Sequence, residues 1–234
     1  MRKRVVIWKL IPIYIFVLVV CICTAWFGSR TVTTMVETAS VPGRRIIVVD
    51  PGHGGIDGGA TSCTGILESG INLEIGLRLN DLLRFIGYET VMIRTTDTSI
   101  HTQGNTIAAQ KVSDLKQRVA LVNRTQNALL ISIHQNTYPD SRYSGAQVFY
   151  ASDDVSKALA DQLQTDFRET INAGSKRQSK PSTGIYLMQH IQRPGVLIEC
   201  GFLSNPTEEA QLRQEEYQQK VCCIVASAIS RQFS

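Results

Sequence analysis

Three apolar runs of the sequence each end in a side chain that could bind a metal or transfer a proton. His53 and His134 each follow such a run within a short polar segment, and Glu199 directly ends a third run. Active sites of parallel α/β sheets lie just beyond the carboxyl ends of the strands, so these side chains are expected to meet there. The set is typical of a metallohydrolase. The apolar runs are Ile46–Val49, Leu129–Ile133 and Val196–Ile198.

The metal site predicted from the two histidines needs a third ligand, because a catalytic zinc commonly takes three protein ligands and keeps one position for water. Glu68 begins the helical pattern that follows the His53 segment, so its carboxylate can turn back toward the strand end. The alternative is that the charge is favoured there only by the helix N-terminus. Asp50, Asp57 and Glu74 compete as ligands, and Asp50 could instead orient a ligand histidine.

Glu199 is interpreted as the general base of the predicted hydrolase, because a carboxylate within reach of a polarised water can accept its proton. The alternatives are that it is a metal ligand or a buried partner of Arg94 or Arg118. A nucleophilic serine is disfavoured because the sequence has no Gly-x-Ser-x-Gly segment. Cys200 is disfavoured because its neighbour Glu199 would point to the opposite face of the sheet.

Other residues of metal-binding type are not expected in the site. His101 lies in a long polar segment and His190 lies two residues beyond a predicted strand, so neither ends an apolar run. The six cysteines lack the paired spacing of a structural zinc site. Cys63 and Cys200 are expected to be two separate thiols.

The N-terminus has the pattern of a membrane-targeting segment. Arg2, Lys3, Arg4 and Lys9 precede the uncharged apolar run Leu10–Phe27. As a helix rising ~1.5 Å per residue, this run would nearly cross a hydrocarbon core of ~30 Å. The flanking positive charges predict a cytoplasmic N-terminus and an exported remainder. A cleaved signal peptide is the alternative, but no well-formed cleavage site follows the run.

These features divide the chain into three parts: a signal anchor over residues 1–30, a linker over residues 31–43 and a catalytic domain over residues 44–234. The expected location is outside the cytoplasm, either membrane-anchored or secreted. The net charge of +4 comes from the first 40 residues, and the remaining chain holds equal numbers of basic and acidic residues. Nucleic-acid binding is therefore not expected, because it requires a basic face.

Alternating strand and helix patterns predict one α/β domain, with a mainly parallel or mixed twisted sheet flanked by helices, behind one N-terminal transmembrane helix. A long polar segment, 95–112, and a basic polar segment, 172–182, interrupt the pattern. Strands are predicted at 46–49, 89–94, 129–133, 147–151, 185–188 and 196–199, and helices at 68–86, 114–127, 155–171 and 208–233.

The motifs together resemble the zinc-dependent N-acetylmuramoyl-L-alanine amidases of the Amidase_3 type, and within them the germination-specific subgroup that acts on spore cortex. The resemblance runs from about Ile46 to the C-terminal helix. It is carried by Val49–Gly55, Glu68 with Leu73, Arg94–Asp97, Leu115–Arg118, Asn123, Ser132–Asn136, Ser144–Ala146 and Val196–Pro206.

The resemblance implies a Zn²⁺ ion held by His53, Glu68 and His134, with Glu199 as the catalytic glutamate. It implies hydrolysis of the amide that joins N-acetylmuramic acid of peptidoglycan to L-alanine of the stem peptide. In spore cortex this step precedes formation of muramic-δ-lactam. A zinc peptidase and a non-catalytic peptidoglycan-binding protein are the competing interpretations. The sequence leaves open whether an activating protein partner is needed.

Overall fold

The computed structural model describes residues 45–233. The predicted signal anchor over residues 1–30 and the linker over residues 31–43 lie outside this part of the chain. Among residues 45–233, no helix is both long enough and apolar enough to cross a membrane.

The described chain forms six strands and six helices. The strands are β1 (Ile46–Pro51), β2 (Thr90–Met92), β3 (Ala128–Asn136), β4 (Gln147–Tyr150), β5 (Lys180–Pro181) and β6 (Gly195–Phe202). The helices are α1 (Glu68–Phe85), α2 (Ile107–Arg124), α3 (Asp154–Thr170), α4 (Tyr186–His190), α5 (Pro206–Leu212) and α6 (Glu215–Phe233).

All six strands form one mixed sheet in the order β2-β1-β3-β6-β4-β5. Strands β2, β1, β3 and β6 run parallel, whereas β4 runs antiparallel to β6 and parallel to β5. The predicted mixed α/β sheet is therefore confirmed. Because β1, β3 and β6 are adjacent and parallel, their carboxyl ends lie side by side at one edge of the sheet.

Helices cover both faces of the sheet, which explains why the central strands are apolar on both sides. Ile47, Ile131 and Ile198 belong to the core cluster that also contains the buried residues of α1, α3 and α6. Val48 and Leu130 alternate with them and pack in a second cluster with residues of α2 and α4.

The strand predicted at 185–188 is wrong, because Ile185 caps the short helix α4 and the next three residues belong to it. Its turn is closed by hydrogen bonds from Gln189 N to Ile185 O and from Ile191 N to Leu187 O. Short apolar runs do not distinguish strand from helix. The helical turn lets the consecutive residues Leu187 and Met188 both reach the second core cluster.

Helix α2 begins at Ile107, seven residues earlier than the predicted start at Asp114, and Thr106 caps it by accepting a hydrogen bond from Ala109 N. Its buried face also differs from the prediction. Asp114 and Arg118 are buried together with Val122, whereas the expected apolar residue Leu115 is only half-buried. The predicted C-terminal helix is divided into α5 and α6. Phe85, which the helical pattern of α1 places on its apolar face, is 88% exposed.

Candidate metal centre

The segment that follows β1 holds His53 in an unusual backbone conformation. His53 has a φ of 60°, in the left-handed region that residues with a side chain seldom adopt, and Gly54 and Gly55 also have positive φ. Such strain is kept only where surrounding contacts enforce it, and it concentrates at functional sites. The turn brings the His53 ring back toward the ends of β1 and β3.

Two buried arginines supply the enforcing contacts. Arg94 donates from Nε to Pro51 O at 2.8 Å and from Nη2 to Gly52 O at 2.9 Å. Arg118 donates from Nη1 to Pro51 O at 3.0 Å and from Nη2 to His53 O at 2.7 Å. Three successive carbonyls of the segment are thereby fixed by guanidinium groups.

Two buried carboxylates balance the charge of Arg118. Asp114 lies 2.6 Å from Arg118 Nε, and Asp50 accepts hydrogen bonds from Arg118 and from Ser132 Oγ. Burial would raise the pKa of Asp50, but the charges of Arg118 and His134, with the hydrogen bonds from Ser132 and Arg118, together hold this pKa below its usual value. Asp50 makes no direct hydrogen bond to a histidine ring of the described chain, but it holds Arg118, which in turn donates to His53 O.

Asp57 has the orienting role instead. His53 Nδ1 donates to Asp57 Oδ2 at 3.0 Å, and Lys111 of α2 lies 2.7 Å from the other oxygen of Asp57. The contact occupies Nδ1, so His53 presents Nε2 to the site. A carboxylate on the remote ring nitrogen is the usual arrangement around a metal-binding histidine.

Glu68 lies between the two histidines, at the first residue of α1, and is 3% exposed. Its Oε1 is 3.0 Å from His134 Nδ1, and its Oε2 is 3.3 Å from His53 Nε2. The carboxylate also accepts hydrogen bonds from Ala60 N, Asn72 Nδ2 and Gln135 N. These contacts fix both oxygens toward the histidine rings.

Two glycines make room for this cluster. A Cβ atom on Gly52 would lie 2.2 Å from the His134 ring, and one on Gly59 would lie 2.6 Å from Glu68 Oε2. Both distances are well below normal contact. The two histidine rings consequently approach each other edge to face, with centroids 4.9 Å apart.

One ligand atom from each of His53, Glu68 and His134 lies within 4.8 Å of the other two. Burial would lower the pKa of His53, but the carboxylates of Glu68 and Asp57 outweigh it and raise this pKa to about 9. Burial would likewise raise the pKa of Glu68, yet the two histidines hold it far below its usual value. The site therefore concentrates negative charge that attracts either protons or a metal cation.

Glu199 is paired with His134 in the register of β6 and β3, so both side chains lie on the same face of the sheet. Its Oε2 is buried without a hydrogen-bond partner in the described chain. Burial raises the pKa of Glu199 to about 7, with the negative charge of Glu68 adding to the effect. Arg94 and Arg118 bond to other groups, so the alternative that Glu199 is their buried partner is wrong.

The structure thus brings together the four residues selected from the sequence: His53, Glu68, His134 and Glu199. His101 and His190 lie outside this group. The Nδ1 atom of His101 contacts Ser99 Oγ, and that of His190 contacts Tyr186 O. Cys63 and Cys200 are free thiols, as expected. The assignment of His53, Glu68 and His134 as zinc ligands, and of Glu199 as general base, stays a prediction.

Comparison with known proteins identifies the family. The family model described as N-acetylmuramoyl-L-alanine amidase matches residues 47–231. The germination-specific N-acetylmuramoyl-L-alanine amidase of Bacillus subtilis is 40% identical over 196 residues, which cover 81% of this chain and 80% of that protein.

Solved structures agree with this match. The CwlD amidase of Clostridioides difficile, solved in complex with the GerS lipoprotein, superposes with a TM-score of 0.77 at 35% identity, over 80% of this chain and 98% of that one. The amidase AmiC2 of Nostoc punctiforme gives a TM-score of 0.68 at 26% identity, over 80% and 96% of the two chains. The chain therefore belongs to the N-acetylmuramoyl-L-alanine amidase family.

Proposed function

We propose that this chain is a zinc-dependent hydrolase that cleaves the amide between N-acetylmuramic acid and L-alanine in spore-cortex peptidoglycan. His53, Glu68 and His134 hold the zinc, and Glu199 is the general base. The observation that carries the proposal is the convergence of the two histidines on the Glu68 carboxylate, beside Glu199.

The residues at the site fit a zinc ion. Two imidazole nitrogens and one carboxylate form a donor set that catalytic zinc sites use. The unpartnered Oε2 of Glu199 supports a further polar group in the same space, because buried carboxylate oxygens rarely lack a partner. When bound, zinc supplies a Lewis acid for the amide carbonyl and lowers the pKa of water.

Glu199 moves the proton. It accepts a proton from the water that attacks the lactyl carbonyl carbon, and later donates it to the nitrogen of L-alanine as the carbon–nitrogen bond breaks. A pKa of about 7 in the metal-free protein suits a group that must gain and lose a proton near neutrality. Asp57 keeps His53 in the tautomer that presents Nε2.

The cellular role follows from the same proposal. Removal of the stem peptides by the enzyme leaves muramic acid available for conversion to muramic-δ-lactam. The germination-specific relative supports this assignment. The catalytic domain acts outside the cytoplasm, attached through residues 1–30 or released from them. A reporter fused after Ser234 should be active outside the cytoplasm, and activity confined to the cytoplasm would contradict this location.

A protein partner is a further part of the proposal. The CwlD amidase was solved with a lipoprotein, and a similar partner would help this chain to retain its zinc. Zinc titration of the chain alone tests the idea. Stoichiometric binding with micromolar or tighter affinity, together with full activity, would contradict the need for a partner.

The decisive test of the reaction is product identity. The full chain with added zinc is incubated with purified cortex peptidoglycan, and the products are analysed by mass spectrometry and N-terminal labelling. We expect glycan strands that have lost entire stem peptides, and new amino termini on L-alanine. The Glu199→Gln variant serves as the control. New termini within the stem peptide would instead indicate a zinc peptidase, and binding without any product would indicate a non-catalytic protein.

A further inference from the structure

The basic polar segment over residues 172–182 borders a cleft of about 1170 Å³ that the proposed mechanism does not use. On its opposite side the cleft is bordered by Tyr143, Ser144 and Gly145, which precede β4. Lys176, Arg177 and Lys180 all line it. The cleft is therefore cationic and lies next to the strands that carry the metal centre.

The cleft carries more positive than negative charge, because four cationic side chains and only two carboxylates line it. Its two carboxylates are already engaged: Asp140 pairs with Arg142 at 2.7 Å, and Glu208 accepts hydrogen bonds from Gly145 N and Phe202 N. Among residues 45–233, the three cations Lys176, Arg177 and Lys180 make no salt bridge, although the charge of Arg177 acts on the nearby Glu208 carboxylate.

Arg177 is held in a fixed orientation. Its Nε donates to Ser144 O at 3.0 Å, its Nη1 lies 3.4 Å from Gln147 Oε1, and its guanidinium stacks 5.0 Å from the centroid of the Phe202 ring. Its Nη2 makes no hydrogen bond within the described chain. A half-buried, oriented guanidinium with a free N–H pair is well suited to a carboxylate.

The supports of Arg177 connect it to the catalytic strands. Gln147 is the cross-strand neighbour of Glu199, on the same face of the sheet, and Glu199 is in turn paired with His134. With strands ~4.8 Å apart, Gln147 lies about 5 Å from Glu199 and about 10 Å from His134 across the sheet. Arg177 lies just beyond it.

The separation between His134 and the Arg177 side chain matches the length of a dipeptide that extends from the metal centre. Successive Cα atoms are ~3.8 Å apart, so a carboxylate on the second residue after the scissile amide lies about 7–10 Å from the reacting carbonyl. Resting on the proposed amidase function, we infer that the cleft beside β4 and β6 is a subsite for a free α-carboxylate of the stem peptide, with Arg177 as its main recognition residue.

The test is a binding comparison with two muropeptides. One is N-acetylmuramoyl-L-alanyl-γ-D-glutamate with a free α-carboxylate on the second residue, and the other carries an α-carboxamide there. Both are labelled and titrated into the full chain carrying Glu199→Gln, which prevents turnover. The charged peptide should bind about tenfold or more tightly, as expected for a charge-assisted hydrogen bond.

Arg177→Gln, added to the same protein, should abolish this preference without weakening the carboxamide peptide. Arg84→Gln is the matched control, because Arg84 is exposed at the far end of α1, roughly 24 Å along the helix from Glu68. Should Arg177→Gln fail to fold, Lys176→Gln, whose side chain is exposed, should reduce the preference in the same direction.

Equal affinity of the two peptides for the parent protein would overturn the inference. So would an equal loss for both peptides in Arg177→Gln, or no binding of either at millimolar concentration. The reaction itself is assayed separately with cortex peptidoglycan and wild-type protein. A failure there contradicts the proposed function, whereas the carboxylate preference is decided by binding alone.

Discussion

The candidate site depends on two glycines, which lack side chains, as much as on the chemistry of the residues around them. Gly52 lies against the His134 ring and Gly59 against Glu68, so these two positions allow imidazole and carboxylate groups to converge. Around them, Asp57 and the backbone of Gln135 orient the groups that converge. A ligand histidine is therefore placed by its neighbours' size and hydrogen bonding together.

The first prediction concerns Gly52→Ala. The added methyl group would overlap the His134 ring at 2.2 Å and displace it from Glu68. We expect zinc affinity to fall about 10- to 100-fold, as for the loss of a group that orients a ligand. Competition with a chelator measures the change.

Gly70→Ala is the control for this prediction. Gly70 also lies close to Glu68 in sequence, but a Cβ there meets no atom within 4 Å. The substitution should leave zinc affinity unchanged and stabilise helix α1 by about 0.5–1 kcal/mol. Equal zinc affinity of the Gly52→Ala protein and its parent would contradict the packing argument.

A second prediction concerns the pH dependence of zinc binding. In the metal-free protein the pKa of His53 is raised to about 9, so the ring is protonated at neutral pH and must lose that proton to bind zinc. The apparent zinc affinity should therefore rise about tenfold per pH unit between pH 7 and 9, and level off above that range. Proton release on zinc addition can be measured in weak buffer.

Asp57→Asn provides the matched variant, because it removes one of the charges that raise the pKa of His53. In this protein the plateau should begin at a lower pH. A parent affinity that does not change between pH 7 and 9 would show that His53 is already neutral in the metal-free site.

Among the secondary-structure elements, helix α2 acts as a polar support for the candidate metal centre. Its inward face carries Asp114 and Arg118. Arg118 connects this helix to Asp50 of β1 and to the backbone carbonyls of Pro51 and His53. The Arg94 side chain, from the segment after β2, completes the same support. The left-handed conformation of His53 thus depends on residues 41 and 65 positions away in the chain.

The third prediction tests this support. Arg118→Ala leaves Asp50 and Asp114 buried without their cation, so the metal-free protein should lose about 3–5 kcal/mol of unfolding free energy. Urea unfolding measures the loss. Arg118→Lys should restore only part of it, because one ammonium group cannot bridge the same set of acceptors.

Arg124→Ala is the control on the same helix, since Arg124 is exposed in its last turn. It should cost under about 1 kcal/mol. Similar losses for Arg118→Ala and Arg124→Ala would contradict the assignment of Arg118 as the support of the His53 segment.

The strands and their functional ends could be predicted from the sequence because their signals are local. Apolar runs before His53, His134 and Glu199 identify β1, β3 and β6. The support by Arg94 and Arg118 could not be derived from such patterns, because it is created by tertiary contacts between distant segments. The strand predicted at 185–188 fails for a different reason, because four consecutive apolar residues carry no period that excludes either a strand or a helix.

In the molecule as a whole, the described residues form two hydrophobic clusters, one on each face of the sheet. Both hydrophobic clusters use buried residues between Ile47 and Ile229. Helices α1, α3 and α6 cover one face of the sheet and α2 and α4 the other. The metal centre and the cationic cleft lie next to each other along the sheet edge, beyond β3, β6 and β4.

A fourth prediction follows for the boundary at residue 44. A chain that begins at Arg44 should fold cooperatively, with the same urea midpoint as the full chain in detergent, because the family match spans residues 47–231. It should also be recovered without detergent. A lower midpoint or aggregation of the shorter chain would show that residues 1–43 contribute to folding.

In the proposed mechanism, His53, Glu68 and His134 bind zinc while Glu199 transfers the proton. It is tested most directly by measuring zinc stoichiometry, thermal midpoint and product formation on one preparation of the Glu199→Gln protein, with His134→Ala beside it. Glutamine keeps the size of the side chain but cannot accept the water proton, and general base catalysis is worth about 10²–10⁴-fold. We expect Glu199→Gln to retain one zinc and its stability while losing at least about 100-fold in rate, and His134→Ala to lose both zinc and activity. Loss of zinc together with rate in Glu199→Gln, or near-normal product formation by either variant, would contradict it.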